Sequence, residues 1–171
     1  EFLTSHLTVG ERDLDRTFTQ QVVPVFQMNH TFSFASLRKK IAVLVSKHDH
    51  ALLELLWRAS HRELEGDIVM VISNHTDHQK VVEAFGIPFH HVPVSADTKP
   101  LSEARILQFL KGVDLIVLAR YMQVLSPLLV DEFPNRIINI HHSFLPAFVG
   151  AHPYKQAHDQ GVKLIGATAH Y

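Results

Sequence analysis

The sequence predicts an open α/β fold, in which helices cover both faces of a doubly wound and mostly parallel sheet. Several apolar runs rich in Val and Ile have the length of strands that are buried on both faces. Segments with apolar residues at helical spacing separate these runs, and glycine follows several of the segments, where helices commonly end. Regular alternation of strand and helix along a chain is typical of a doubly wound parallel sheet.

The predicted strands fall into a long group and a short group. The long runs are Ile41–Ser46, Asp67–Ser73, Val113–Ala119 and Arg136–His142. Shorter strands are expected at Phe89–Val94 and Val162–His170. Because the long runs contain few polar residues, we expect them to lie inside the sheet rather than at a solvated face.

Helices are predicted in the segments between these strands. His50–Leu64 places Leu52, Leu55, Leu56 and Ala59 on one face at helical spacing. Ser126 followed by Pro127 is typical of an N-cap and a first helical residue. The other predicted helices are Asp77–Phe85, which ends at Gly86, Ser102–Lys111, which ends at Gly112, and a helix from Pro153 to Gly161.

Residues 1–37 have a different pattern and are predicted to be part of a small α+β module. Phe2–Val9 and His30–Ala35 are predicted strands, and an amphipathic helix between them contains Leu14, Phe18, Val22 and Phe26 and is disturbed at Pro24. So few elements cannot bury a core of their own. We therefore expect this module to begin before Glu1, and the second domain, residues 38–171, to continue beyond Tyr171.

The composition argues against several classes of protein. The 16 Lys and Arg balance 17 Asp and Glu, whereas binding to nucleic acid or to a membrane surface needs a clustered basic excess. No apolar run approaches the ~20 residues that span a bilayer. The chain has no Cys and no signal-peptide pattern at its start. A cytoplasmic protein without nucleic-acid or membrane partners is expected.

The candidate site lies at the last long strand, where residues 137–148 read IINIHHSFLPAF. Ligands of open α/β sheets bind beyond the carboxyl ends of the strands. Side chains alternate along a strand, so Asn139 and His141 are expected on the same face. The Asn amide can donate to a developing oxyanion, and the imidazole can transfer protons near neutral pH. This pattern favours acyl-transfer chemistry, with a purely structural polar strand end as the alternative.

The same segment carries a resemblance to a known family. Together with LARYMQVLSP at Leu118–Pro127 and GATAHY at Gly166–Tyr171, it resembles the folate-dependent formyltransferase family, and the resemblance runs from Arg38 to Tyr171. The resemblance implies that Asn139 and His141 are catalytic. It also implies that an Asp shortly beyond Tyr171 orients His141 and the attacking water.

The resemblance further implies a pterin pocket in the segment that follows the Val113–Ala119 strand. The implied substrate-binding residues are Leu118, Tyr121, Met122, Gln123, Val124, Leu125, Ile137 and His170, with Ser143 in a supporting role. Apolar walls with exposed backbone groups are the usual composition of a site for a flat heterocycle. Alternatives remain for several of them: Leu118 and Leu125 as core, His170 as an edge-strand polar residue, and Ser143 as a turn hydroxyl.

Within this family, the resemblance favours members that hydrolyse 10-formyltetrahydrofolate to tetrahydrofolate and formate, which maintains one-carbon balance or supplies formate for purine synthesis. Transfer of the formyl group to a phosphorylated amine, as by glycinamide ribonucleotide transformylase, needs a phosphate-binding turn that is normally rich in glycine. Residues 46–50 read SKHDH, without glycine, and Asp49 would repel phosphate. Lys47 can still bind an anion, so transfer remains the alternative.

Cofactor and partner expectations follow from the same resemblance. No cofactor and no metal are expected, although the 14 His keep a metal-dependent hydrolase as a weaker alternative; no HExxH motif is present. Residues 1–37 would be the second half of an ACT-type regulatory module. Such modules commonly pair between subunits and bind small amino acids, so a homo-oligomer is expected. An alternative of another class is a regulator that binds folate or an amino acid without turnover.

Overall fold

The computed structural model describes residues 9–34, 36–141, 153–163 and 166–171. The chain divides into two compact units, Glu1–Leu37 and Arg38–Tyr171. The division lies where the sequence pattern changes from irregular to alternating. The ACT-type identity of the first unit stays a prediction.

The described residues of the first unit form two helices, α1 (Glu11–Gln21) and α2 (Val23–Phe26). Together they cover the segment in which one amphipathic helix was predicted. Pro24 lies at the start of α2, where a proline is tolerated. The described residues 30–34 form no strand, so this part of the predicted strand at 30–35 is wrong. A strand needs a partner for its backbone groups. The other strand predicted in this unit, Phe2–Val9, lies outside the described residues except for Val9.

The second unit is built on a six-stranded sheet. Its strands are β1 (Lys39–Val45), β2 (Gly66–Ser73), β3 (Phe89–His91), β4 (Leu115–Ala119), β5 (Ile137–His141) and β6 (Thr168–His170). Their order in the sheet is β3-β2-β1-β4-β5-β6. The strands β1 to β5 run parallel, and β6 pairs antiparallel with β5. The predicted doubly wound and mostly parallel sheet is confirmed.

Helices cover both faces of this sheet. They are α3 (His50–Ser60), α4 (Gln79–Ala84), α5 (Lys99–Phe109), α6 (Pro127–Glu132) and α7 (Pro153–Asp159). On one face, Ile106 of α5 packs in the same buried cluster as Leu44 of β1. On the other face, Leu52 of α3 and Val82 of α4 pack with Val43. Each such fully buried side chain stabilises the fold by about 1.5–3 kcal/mol.

The element boundaries differ from the predicted ones mainly at the ends. Gly86, Gly112 and Gly161 have positive φ angles of 73°, 78° and 68°, which confirms them as helix-terminating residues. The helix after β1 ends earlier than predicted, because Arg62 takes the left-handed conformation with φ 59°. The strands β3 and β6 are shorter than predicted, since ladder pairing covers only part of each run.

The strand order defines where a ligand would bind. Successive connections leave β1 toward β2 on one side, while β4 lies on the other side of β1. The crevice at the carboxyl ends of β1 and β4 is therefore the switch point at which open α/β sheets bind ligands. Within the part of the chain that the structure describes, no helix is long and apolar enough to cross a membrane.

Candidate functional site

Asn139 lies on β5 in register with Leu118 of β4 on one side and His170 of β6 on the other. Its Nδ2 atom is 3.3 Å from Nε2 of His170, and both side chains are half-buried. The Nδ1 atom of His170 lies 3.0 Å from the carbonyl oxygen of Tyr171. The tautomer with the proton on Nδ1 satisfies both contacts, because Nδ1–H then donates to that carbonyl and Nε2 accepts from the amide.

This arrangement orients the Asn139 amide. With the Nδ1–H tautomer of His170, one of the two N–H groups of Asn139 donates to Nε2 of the imidazole. An oriented amide donor at the carboxyl edge of a parallel strand can stabilise negative charge that develops on a bound oxygen. The structure thus brings together Asn139 and His170, two of the predicted site residues.

Two other predicted residues fall partly or wholly outside the described residues. The backbone of His141 ends β5 and is in register with Thr168 of β6, but its side chain is not among those described. Ser143 lies outside the described residues. The convergence of Asn139 and His141 on one substrate therefore stays a prediction.

The segment between β4 and α6, residues 120–126, contains most of the predicted substrate-binding positions. We call it the β4–α6 loop. Its apolar side chains divide into two sets: Tyr121 is 7% exposed and belongs to the buried core, whereas Met122 is 58% and Val124 81% exposed. Leu125 is partly buried against the same core, and Gln123 is half-buried.

Leu118 and Ile137 lie in the sheet below this loop. Leu118 is 8% exposed, and Ile137 packs against the same buried cluster. The core interpretation of Leu118 and Leu125 therefore accounts for their burial. Contact of any of these residues with a pterin stays a prediction, and Met122 and Val124 are the exposed apolar side chains that the loop offers to a ligand.

Buried polar side chains from two other elements hold the β4–α6 loop. At one end, Ser46, which directly follows β1, donates from Oγ to Oδ1 of Asn74 at 2.7 Å. The same Oγ accepts the backbone N–H of Met122 at 3.0 Å. At the other end, the Glu103 carboxylate of α5 accepts the backbone N–H of Ser126 at 3.0 Å and a short hydrogen bond from its hydroxyl. Ser46 and Glu103 are both buried.

Ser126 has the predicted position and an additional contact that was not predicted. It occupies the N-cap position of α6, and its carbonyl accepts the first helical hydrogen bonds, but its hydroxyl makes no capping bond. Its hydroxyl instead donates to the Glu103 carboxylate, and a hydrogen bond to an ionised acceptor is stronger than one between neutral groups. The predicted N-cap position of Ser126 and the predicted helix start at Pro127 are both confirmed.

Sequence reasoning also missed Glu103 itself. Glu103 precedes Ile106 and Leu110 at helical spacing, so it occupies the buried stripe of α5. The sequence did contain a signal for this contact, because a carboxylate stands at a position where the helical pattern calls for an apolar residue. The same element therefore supplies both core packing and a polar contact to the β4–α6 loop.

Burial raises the pKa of the Tyr121 phenol to about 12, and the Glu103 carboxylate adds to this rise. The ordinary pKa of an unfolded Tyr is about 10. The difference between the folded and unfolded pKa therefore contributes stability that is fully present below pH ~10. This stability is lost as the pH rises from about 10 to about 12. We expect the free energy of unfolding, measured in urea, to fall less steeply over this pH range in Tyr121→Phe than in the wild type. Equal slopes would contradict the assignment to Tyr121.

Metal-binding geometry is absent from the residues that the structure describes: no three His, Asp or Glu side chains lie together there. The many His residues of the described part are therefore dispersed. That catalysis needs no metal stays a prediction.

Comparison with known proteins adds to this geometry. The family model described as "Formyl transferase" matches residues 39–171. The chain is 51% identical over 166 residues to formyltetrahydrofolate deformylase of Mycobacterium tuberculosis, covering 96% of this chain and 54% of that protein. It thus spans about half the length of the curated relatives that it matches.

Solved structures agree with the sequence comparison. A crystal structure of a formyltetrahydrofolate deformylase from Pseudomonas syringae superposes with a TM-score of 0.92 at 42% identity, covering 96% of this chain and 56% of that one. Glycinamide ribonucleotide transformylase 1 from Symbiobacterium toebii superposes with a TM-score of 0.74 at 32% identity, covering 84% of this chain and 69% of that one. The fold, the family match and the identity of these relatives together show that the chain belongs to the formyl transferase family.

Proposed function

We propose that this chain is the catalytic part of a formyltetrahydrofolate deformylase, which hydrolyses 10-formyltetrahydrofolate to tetrahydrofolate and formate. The observation that carries the proposal is the similarity to deformylases over nearly the whole of this chain, which exceeds that to the solved transformylase. The placement of Asn139 and His170 at the carboxyl edge of the sheet, beside the β4–α6 loop, supports it.

The proposed reaction begins when water attacks the formyl carbon while His141 accepts a proton from the water. The formyl oxygen becomes an oxyanion and accepts a hydrogen bond from Asn139 Nδ2, whose other N–H donates to His170. The carbon–nitrogen bond then breaks, and its electron pair stays on the folate nitrogen. The oxyanion re-forms a C=O double bond as this bond breaks, and His141 returns the proton to the nitrogen. The products are tetrahydrofolate and formic acid, which releases a proton to the solvent and becomes formate.

Hydrolysis is favoured over formyl transfer by the turn after β1. Ser46 is buried, and its hydroxyl is already bonded to Asn74 and to the Met122 backbone. Asp49 is the N-cap residue of α3, so its carboxylate stands at the helix end that a phosphate-bearing acceptor would otherwise use. Repulsion between this carboxylate and a phosphate disfavours such an acceptor, which leaves water.

We also propose a cellular location, a substrate class and an assembly state for the enzyme. Folate is the substrate, and no metal or other cofactor takes part. The protein is a cytoplasmic homo-oligomer without nucleic-acid or membrane partners. The balanced charge and the absence of Cys support this setting. Exhaustive chelation followed by an unchanged rate of formate release is the expected result for a metal-free hydrolase.

The proposed function is tested by product analysis of the complete protein without any amine acceptor. We expect formate and tetrahydrofolate to appear in equal amounts, because water is the acceptor. Release of tetrahydrofolate only after addition of a phosphorylated amine would instead identify a transferase. Tetrahydrofolate binding by calorimetry without formate release would identify a regulator. Either of these results contradicts the proposed function.

A further inference from the structure

We propose that Glu103 and Ser46 are positioning residues that hold the β4–α6 loop in the conformation that receives the folate. The inference rests on the proposed function, since it assigns the loop to binding of the folate ring. Neither residue is expected to touch the reacting atoms. Each acts through the backbone of the loop, one near its beginning and one at its end.

The β4–α6 loop has features that call for support from other elements. Arg120, at the start of the loop, has a φ angle of 57°, a left-handed conformation that is unfavourable for a residue with a Cβ atom. Within the loop, Tyr121 and Leu125 pack against the core, whereas Met122 and Val124 are exposed and gain little from packing. Hydrogen bonds from other elements can therefore add to the packing that holds this loop in one conformation.

Both ends of the β4–α6 loop are held by buried polar groups. Ser46 connects the end of β1, through the Met122 N–H, to the beginning of the loop. Glu103 accepts two hydrogen bonds from Ser126, one from its backbone and one from its side chain. Hydrogen bonds to an ionised acceptor are about twice as strong as those between neutral groups. The Glu103 end is therefore the stronger of the two attachments.

A buried polar group that lacks a hydrogen-bond partner destabilises the fold. A carboxylate with 4% exposure is retained in a helix core only when its acceptors are satisfied. An apolar residue at position 103 would fill the same stripe of α5 without this requirement. The pair of bonds to Ser126 fixes the junction between the loop and α6, and so fixes the positions of Met122 and Val124.

The test uses the complete protein with four variants: Glu103→Ala, Glu103→Gln, Ser126→Ala and Ser46→Ala. We expect Glu103→Ala to raise the KM for 10-formyltetrahydrofolate and the Kd for tetrahydrofolate about tenfold, with little change in kcat, because loop positioning contributes to binding. Glu103→Gln should restore most of the binding, since its amide can accept from the Ser126 N–H and donate to the Ser126 hydroxyl. Ser126→Ala and Ser46→Ala should each raise KM by a smaller factor.

Ser102→Ala is the matched control. Ser102 is the buried neighbour of Glu103 on α5, and its hydroxyl donates to the carbonyl of Pro93 at 2.8 Å, away from the β4–α6 loop. We expect a lower Tm without a change in KM. A wild-type KM and Kd in Glu103→Ala, or an equal rise of KM in Ser102→Ala, would overturn the inference.

Failure of the proposed function gives a different result. If the wild type binds tetrahydrofolate but releases no formate, the function is wrong, and the Kd series alone then decides the inference. If Glu103→Ala fails to fold, Ser126→Ala decides the inference, because alanine is close to serine in size, and a wild-type KM and Kd in Ser126→Ala would then overturn it.

Discussion

Replacing Asn139 by alanine should lower kcat for formate release about 100- to 1,000-fold, which is the usual effect of removing one oxyanion donor. The amide nitrogen is already oriented by His170 at 3.3 Å, so the donor needs no reorganisation when charge develops on the formyl oxygen. Because the interaction strengthens mainly in the transition state, KM should change less than kcat. Formate release by the complete protein, measured under single-turnover conditions, checks this expectation.

Two variants separate the donor from the shape of the Asn139 side chain. Asn139→Asp keeps the size but replaces the donor by a negatively charged acceptor, so its loss of activity should be at least as large as that of alanine. Gln160→Ala removes an exposed carboxamide in the turn after α7 and should leave the rate unchanged. A near-normal rate in Asn139→Ala, with the fold intact by circular dichroism, would remove Asn139 from the mechanism.

The inner strands were predictable because most of the residues in them are apolar, as burial on both faces requires. In β1, Ala42 to Val45 are all fully buried, and the sequence there is an unbroken apolar run. The strands β3 and β6 gave weaker patterns, because a strand at the edge of a sheet pairs on one side only and over few residues. Their presence was predicted, whereas their lengths were not.

The direction of β6 has a direct consequence for the site. The sequence cannot tell whether a last short strand runs parallel or antiparallel to its neighbour. Because β6 is antiparallel, His170 comes into register with Asn139, although 31 positions separate them. The resemblance implied both residues as parts of one site. Only the pairing of the strands explains how His170 orients the amide.

Glu103 illustrates the other limit of sequence reasoning. Its partner Ser126 lies 23 positions away and on a different element, so no local pattern connects them. The Ser-Pro pair was sufficient to predict where α6 begins, because that depends on backbone geometry alone. It was insufficient to predict the partner of the hydroxyl, because that depends on which helix packs next to the loop.

Replacing His141 by alanine should lower kcat by about 100- to 10,000-fold, the range in which a general acid–base contributes to catalysis. His141 is the last residue of β5, two positions after Asn139. Because side chains alternate along a strand, both side chains are predicted to lie on one face. An imidazole there can accept a proton from water and return it to the folate nitrogen. The neutral ring is needed for the first of these steps, so activity of the wild type should fall on the acidic side of neutrality.

Three measurements distinguish this role from a structural one. The acidic fall in kcat/KM should disappear in His141→Ala, and added imidazole should restore part of the rate, because a free base can enter the space left by the side chain. His158→Ala, which removes an imidazole whose side chain is 90% exposed on α7, should leave both the rate and the pH profile unchanged. A His141→Ala variant that keeps the acidic fall would show that another group titrates. The proton transfer would then have to be assigned elsewhere, and His170, which already lies beside Asn139, would be the next residue to replace.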